Sequence, residues 1–320
     1  MTPTLSLAIC THNPRADFLE RTLQSLQKQT LHMDQWELLL VDNASSNGVS
    51  DTMDLAWHPN ARVVKEARIG LTMARLRAIE ETTTPYLVYA DDDNELAPDY
   101  LATMVRLAQQ HPTLGVIGAG RIVPDFEETP DPALSPYLLM LALRSEEGPH
   151  WSNDPMDEAI PWGCGMMIRR EVASHYHSSL AKDPAKQGLD RTGDSLDSCG
   201  DEQFSLVACD LGLGKGIFVD LYLTHLIGKQ RVQKEYLLRL AEAHAFSKAM
   251  LLHMHGGSVR VLRPQASWTK FFGHMLRLQV GMVFMEGTRL WDRRSRPLLD
   301  REFDDARRQG VERFHRTVNG

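Results

Sequence analysis

Two rhythms of apolar and polar residues alternate along the first 120 positions. Short, mostly apolar runs at 5–10, 36–41, 61–64, 85–90 and 115–118 read as buried strands. Between them apolar residues recur every three or four positions. Leu19, Leu23 and Leu26 mark a helix over 18–27, and Leu71, Ala74 and Ala78 mark one over 71–81. Pro98 suits the first turn of a helix running to about Gln110. Strands alternating with helices predict an α/β fold with a largely parallel sheet and right-handed crossovers.

The second half is less regular. Residues 121–157 are rich in Pro and acidic groups and predict a long excursion. Trp162 to Arg169 reads as a Gly-rich turn entering a strand, and 182–200 as a mobile polar loop. A helix is expected over 202–211 and a strand over 217–223, and the pattern is mostly helical from Val232 onward. This organisation predicts a catalytic domain over 1–231 and a helical region over 232–320. Within the first, 1–120 would bind nucleotide and 121–231 would face an acceptor.

In parallel sheets ligands bind beyond the carboxyl ends of the strands. Those ends carry Thr11-His12-Asn13, Asp42-Asn43 and Asp91-Asp92-Asp93, so the three polar clusters predict one convergent site. Residues i and i+2 of a strand share a face, which lets Asp91 and Asp93 converge on one hard cation. Mg²⁺ typically takes one or two carboxylates and completes its shell with substrate phosphates. A solvated acidic turn is the bland reading of the same residues. Gly70 precedes a helix start, where an anion is favoured, and Arg68 or Arg75 can reach a phosphate. Asp201 opens the helix expected at 202–211; it either caps that helix or, facing the pocket, serves as a base. His225, after the strand expected at 217–223, is a metal ligand or a structural histidine.

Charge and composition narrow the classes. The net charge of -7 argues against a dedicated nucleic-acid binder. Cys10, Cys164, Cys199 and Cys209 form no CxxC pair, so a zinc site is not expected, and such sparse cysteines suit a reducing cytoplasm. Neither a signal peptide nor a transmembrane run is read. GxGxxG, GxSxG and HExxH do not occur, and Gly212 to Gly216 lacks Walker spacing.

Taken jointly, these segments resemble the inverting glycosyltransferases of family 2, across residues 5–231. Leu7 to Asn13 is similar to that family's opening strand, and Leu40 to Ser45 to its second strand. Gly70-Leu-Thr-Met-Ala-Arg75 is similar to its Gly-Leu-x-x-Ala-Arg segment. Ala90 to Asn94 resembles its DxD motif, and Gly163 to Arg170 its acceptor-side segment. Gly200-Asp201 stands where the family has Glu-Asp, and Thr224-His225 matches its later histidine. Two departures are visible: Asn43 replaces a common second Asp, and Gly200 replaces the Glu.

The resemblance implies a GT-A fold: a Rossmann-like, mainly parallel mixed sheet of the nucleotide-diphospho-sugar transferases, with a helical C-terminal extension. It implies a donor site of Thr11, Asn13, Asp42, Asn43, Arg68, Arg75, Asp91 and Asp92, and Mn²⁺ or Mg²⁺ held through Asp93, Asp91 and His225. Asp201 would be the general base, with Trp162, Gly163, Gly165 and Glu202 on the acceptor side. Expected partners are a nucleotide sugar and a glycan or lipid-linked acceptor, with no nucleic acid; a homodimer is a further arrangement. A sugar-phosphate nucleotidyltransferase and a non-catalytic nucleotide-sugar binder are the competing classes. An apolar stripe from Trp268 to Met285, flanked by basic residues to Arg296, predicts peripheral contact with the inner face of a membrane, against packing on the domain or a second subunit.

Overall fold

The computed structural model describes residues 3–182, 190–255 and 297–319. The apolar stripe expected at the membrane, 268–296, lies outside them. Among the described residues no helix is long and apolar enough to cross a membrane.

Strand β1 (Leu5–Thr11) is buried along its whole length, because both faces of the sheet are covered. Its side chains alternate between two apolar layers. Leu5, Leu7 and Ile9 meet helices α1 (Ala16–Gln27) and, further along, α4 (Tyr100–Gln110), through Leu19, Leu23, Leu26, Leu101 and Met104. Ala8 and Cys10 face α3 (Leu71–Glu81), α5 (Arg170–Lys182) and α6 (Gly200–Asp210), through Met73, Leu76, Val172, Tyr176 and Phe204. The result is a sheet sandwiched between two helical layers.

Parallel pairing joins β1 to β2 (Trp36–Asn43) and β4 (Tyr86–Ala90), and β2 to β3 (Ala61–Glu66). A short helix, α2 (Val49–Thr52), lies between β2 and β3. The run expected at 115–118 is the middle of a much longer strand, β6 (Leu114–Phe126), parallel to β10 (Gly214–Ile227). The other strands run antiparallel: β5 (Asn94–Leu96) and β8 (His150–Ser152) on β10, β7 (Arg144–Ser145) on β6, and β9 (Met166–Arg169) between β4 and β6. The sheet order is β3-β2-β1-β4-β9-β6-β10-β5.

Several local expectations are corrected. Pro98 lies outside α4, whose N-cap is Asp99. Pro98 instead offers its carbonyl to the Thr30 N–H at 2.7 Å. Helix α5 has no counterpart in the sequence reading; Glu171, His175, His177 and paired serines dilute its apolar rhythm. Strand β10 does not stop at 223. It carries His225, opposite Asn94 of β5 and Pro124 of β6.

Helices α7 (Lys234–Met254) and α8 (Leu298–Asn319) pack on the sheet domain. Leu237, Leu240, Phe303 and Ala306 share one apolar cluster with Leu134, Tyr137 and Leu141 of the 121–157 excursion. Lys234 pairs with Glu302 at 2.8 Å across the two helices.

Candidate functional site

The carboxyl ends of β1, β2 and β4 are brought side by side, with Thr11 opposite Asp42 and Ile9 opposite Ala90. Their loops are stapled together. Asn13, in the left-handed region at φ 50°, accepts from the Ser46 N–H at 2.8 Å, and its own N–H donates to Ser45 Oγ at 2.9 Å. Asp42 Oδ1 takes the Ser45 N–H at 3.0 Å. Thr11 donates to Asp92 Oδ2.

Asn43 serves the backbone. Its amide donates to the carbonyls of Glu66 and Arg68 at 3.2 and 2.6 Å and accepts the Gly70 N–H at 2.8 Å. It therefore pins the turn before α3, where Gly70 takes φ 135°. The start of α3, expected to receive a ligand anion, is covered by the chain at 190–192: the Leu71 N–H donates to the Arg191 carbonyl at 2.9 Å. Arg68 is exposed and grips Glu66 at 2.8 Å. Arg75, by contrast, is no surface residue. It pairs with Asp190 at 2.8 Å, their side chains 5 % and 3 % exposed.

The acidic motif is a turn and not a strand end, since β4 stops at Ala90 and β5 resumes at Asn94. The alternation expected to align Asp91 with Asp93 does not apply there. Asn94, fully buried, holds the turn instead: it accepts the Asp91 N–H and donates to Asp93 Oδ1, both at 3.0 Å. Burial raises the Asp91 and Asp92 carboxyls, Asp92 to about 7, and the Asp93 charge adds to both shifts. Burial works against the Asp93 anion too, but the His225 ring and the Arg231 guanidinium hold it well below the usual range.

Among the described residues no group of three His, Cys, Asp or Glu side chains is placed to hold a metal ion. Of the expected set Asp91, Asp93 and His225, the last two lie together in this arrangement. Asp93 Oδ2 lies 3.3 Å from His225 Nε2, and Arg231 Nη1 lies 2.9 Å from the first and 3.1 Å from the second. His225 is buried, and its Nδ1 has no hydrogen-bond partner. One carboxylate oxygen and one imidazole nitrogen form a donor set that suits Mn²⁺ or Mg²⁺ completed by phosphate oxygens. Arg231 is the cation that now satisfies that pair, a role the sequence did not indicate. Replacing it by an apolar isostere should open the pair to metal. Calorimetry of Mn²⁺ with Arg231→Met, without donor, is expected to read about tenfold tighter binding, the equivalent of ~1.4 kcal/mol of lost competition. Equal affinities would show that Arg231 does not compete.

Asp201 sits in the first turn of α6, whose N-cap is Cys199, so Asp201 is not the cap. Its Oδ2 accepts the Gly163 N–H at 3.0 Å and its Oδ1 the Glu202 N–H at 2.9 Å. Burial pushes its carboxyl up to about 6, against the pull of Arg75 and with help from Asp190 and Glu202. Glu202 turns away to Lys248 of α7. Trp162 lies under Arg144, whose guanidinium carbon is 3.8 Å from its ring. Gly165, at φ 73°, gives its carbonyl to Tyr100 Oη at 2.7 Å and leaves no room for a side chain.

Asp190 was missed because it falls in a polar stretch with no periodicity. The mainly parallel mixed sheet with added helices is the GT-A fold, and it carries an acidic turn after β4 and a carboxylate on α6. The family model of glycosyl transferase family 2 matches residues 6–176, and the chain belongs to that family. EpsH of Bacillus subtilis strain 168, a glycosyltransferase by name, is 26% identical over 130 residues, covering 40% of this chain and 36% of EpsH. TuaG of the same strain, named for teichuronic acid biosynthesis, is 28% identical over 102 residues, covering 31% of this chain and 39% of TuaG. The matched stretches thus span little more than a third of these relatives. A mannosyltransferase from Pyrobaculum calidifontis shares the fold with TM-score 0.54 at 20% identity, covering 79% of this chain and 65% of that one.

Proposed function

We propose that the protein transfers a sugar, with inversion, from a nucleoside-diphosphate sugar to an acceptor hydroxyl, in the synthesis of a polysaccharide or related glycoconjugate. The observation that carries this reading is Asp201. Its carboxyl is held by the Gly163 N–H beside the strand-end cluster and raised to about 6, near the operating range of a general base. Asp201 takes the proton of the acceptor hydroxyl as that oxygen bonds to the anomeric carbon. The bond from that carbon to the diphosphate breaks on the opposite side, and the nucleoside diphosphate leaves. Thr11, Asn13 and Asp42 line the strand ends where the nucleotide would lie, with Asn43 and Gly70 shaping the wall. Asp93 and His225 would hold the cation, which when bound supplies positive charge to the departing diphosphate.

Supporting context is the complex of the Pyrobaculum mannosyltransferase with GDP-mannose and Mn²⁺. EpsH and TuaG are both named as glycosyltransferases, TuaG for teichuronic acid biosynthesis. A nucleotidyltransferase would need a free basic loop after the first strand; Arg15 there is bound to Asp17 and Glu127 at 2.6 and 2.7 Å.

A thermal-shift screen of nucleotide sugars with Mn²⁺ tests the reading, since binding to the native state raises its apparent stability. One nucleotide sugar is expected to raise the Tm, and to turn over to the nucleoside diphosphate with an acceptor. EDTA should abolish that turnover and Mn²⁺ restore it. Release of pyrophosphate, or turnover undiminished in EDTA, would contradict the scheme.

A further inference from the structure

Asp190 is a buried carboxylate that the reaction scheme does not use. Asp190 is reached from the stretch before α6, and its side chain is 3 % exposed. Its two oxygens have distinct duties. Oδ1 accepts the Gly200 N–H at 3.2 Å, at the first turn of α6. Oδ2 accepts from Arg75 Nη1 at 2.8 Å and from Thr72 Oγ1 at 3.3 Å, on the first two turns of α3. A negative charge here lies at the start of α6, where an N–H group favours it, and against the Thr72 hydroxyl and Arg75 guanidinium of α3.

The contact with Gly200 is tighter than a hydrogen bond alone implies. A Cβ added at Gly200 would overlap the Asp190 carboxylate and stand 2.8 Å from its Oδ1. The carboxyl of a glutamate begins two bonds beyond its Cβ, so a glutamate at 200 would place its own carboxyl where that of Asp190 now sits. The missing side chain at 200 and the buried carboxylate from 190 are two halves of one arrangement.

Arg75 links this arrangement to Asp201. A Cβ added at Gly163 would collide with Arg75 Nη2 and would lie 3.9 Å from the Asp201 Cβ. The same Gly163 donates its N–H to Asp201. The guanidinium is therefore clamped between Asp190 on one side and the turn that holds Asp201 on the other. With a partner on only one edge, a buried guanidinium beside a carboxylate would close onto it.

We propose that Asp190 is a positioning residue: from outside helix α6 it supplies the carboxylate that Gly200 cannot, and it holds Arg75 off Asp201 so that Asp201 stays free to take a proton. The proposal rests on the reading of Asp201 as the base. Asp190 touches no reacting atom and acts through Arg75. Asp201 also faces Glu202, Lys248 of α7, Tyr176 of α5 and, further off, Arg144.

A residue swap tests the proposal without knowledge of the substrate. Asp190→Ala leaves Arg75 buried without its partner and should lower the Tm by roughly 10 °C. Gly200→Glu alone should also lower it, because two carboxylates cannot share the space. The double variant Asp190→Ala/Gly200→Glu should recover more than half of the summed loss. Losses that simply add would overturn the proposal. A second measurement separates positioning from mere support: ¹³C-carboxyl titration of Asp201. Asp190→Asn should move Asp201 downward from about 6, and the double variant should return it; an Asp201 unmoved in Asp190→Asn overturns the proposal too. Recovery by both measures, with no transfer by any of these proteins on any nucleotide sugar, would leave the positioning role standing and remove only the assigned reaction.

Discussion

Asp201→Asn is expected to cut turnover by roughly 10²- to 10⁴-fold, the range for loss of a general base. The asparagine carbonyl can still accept the Gly163 N–H, so the turn that Asp201 holds at 3.0 Å should persist. Donor binding, read by thermal shift, should survive, because no part of the strand-end cluster changes. The pH profile supplies a second readout. In the wild type the base must be ionised, and its carboxyl is raised to about 6. Below that pH, kcat/KM should fall about tenfold per unit as Asp201 protonates. The residual rate of the variant should lack this limb. A profile unchanged by the substitution would move the base elsewhere. Glu202 is the neighbour to test, although its carboxylate is engaged by Lys248.

Arg75→Met should produce a stability loss as large as that of Asp190→Ala, since both break the same buried pair. The methionine keeps much of the packing volume but strips the buried Asp190 of its cation, in a pair whose side chains are 5 % and 3 % exposed. Breaking a buried pair from one side costs about 3–5 kcal/mol, because the remaining charge is left uncompensated. For a chain of this size that corresponds to a Tm lower by roughly 10 °C. Asp91 and Asp201 also lose the nearby positive charge that favours their ionised forms, so the penalty falls on three carboxylates. The exposed Arg68, paired with Glu66, provides the contrast: Arg68→Met should move the Tm by no more than about 2 °C. Similar losses in the two variants would mean that the Arg75 pair is not a buried anchor.

Local pattern carried the Rossmann-like half of the fold. The buried runs at 5–10, 36–41 and 85–90 fall on β1, β2 and β4, and the helical rhythm at 71–81 is α3. Both faces of those strands are covered, so a mostly apolar run marks them. Once they pair in parallel, the polar residues after each run must gather at one edge, which is why Thr11, Asp42 and the acidic turn were legible as one site. The place of Asp201 in the first turn of α6 was legible from the apolar helical pattern that follows it, while its proposed role came from the family resemblance.

What the sequence by itself determined, then, are the strands and helices of the first half and the edge where their polar ends meet, since these follow from contacts between near neighbours and a repeating period. The tertiary structure alone decided which charges face one another there. Arg231 reaches Asp93 across 138 positions, and Arg75 meets Asp190 across 115. No period relates such pairs. They are brought together by the long strand β10, which carries His225 past β5, and by the close approach of the 190–192 chain to the start of α3. A buried charge needs a counter-charge, but not one from any particular distance along the chain, so the partner's identity is settled only when the chain has folded.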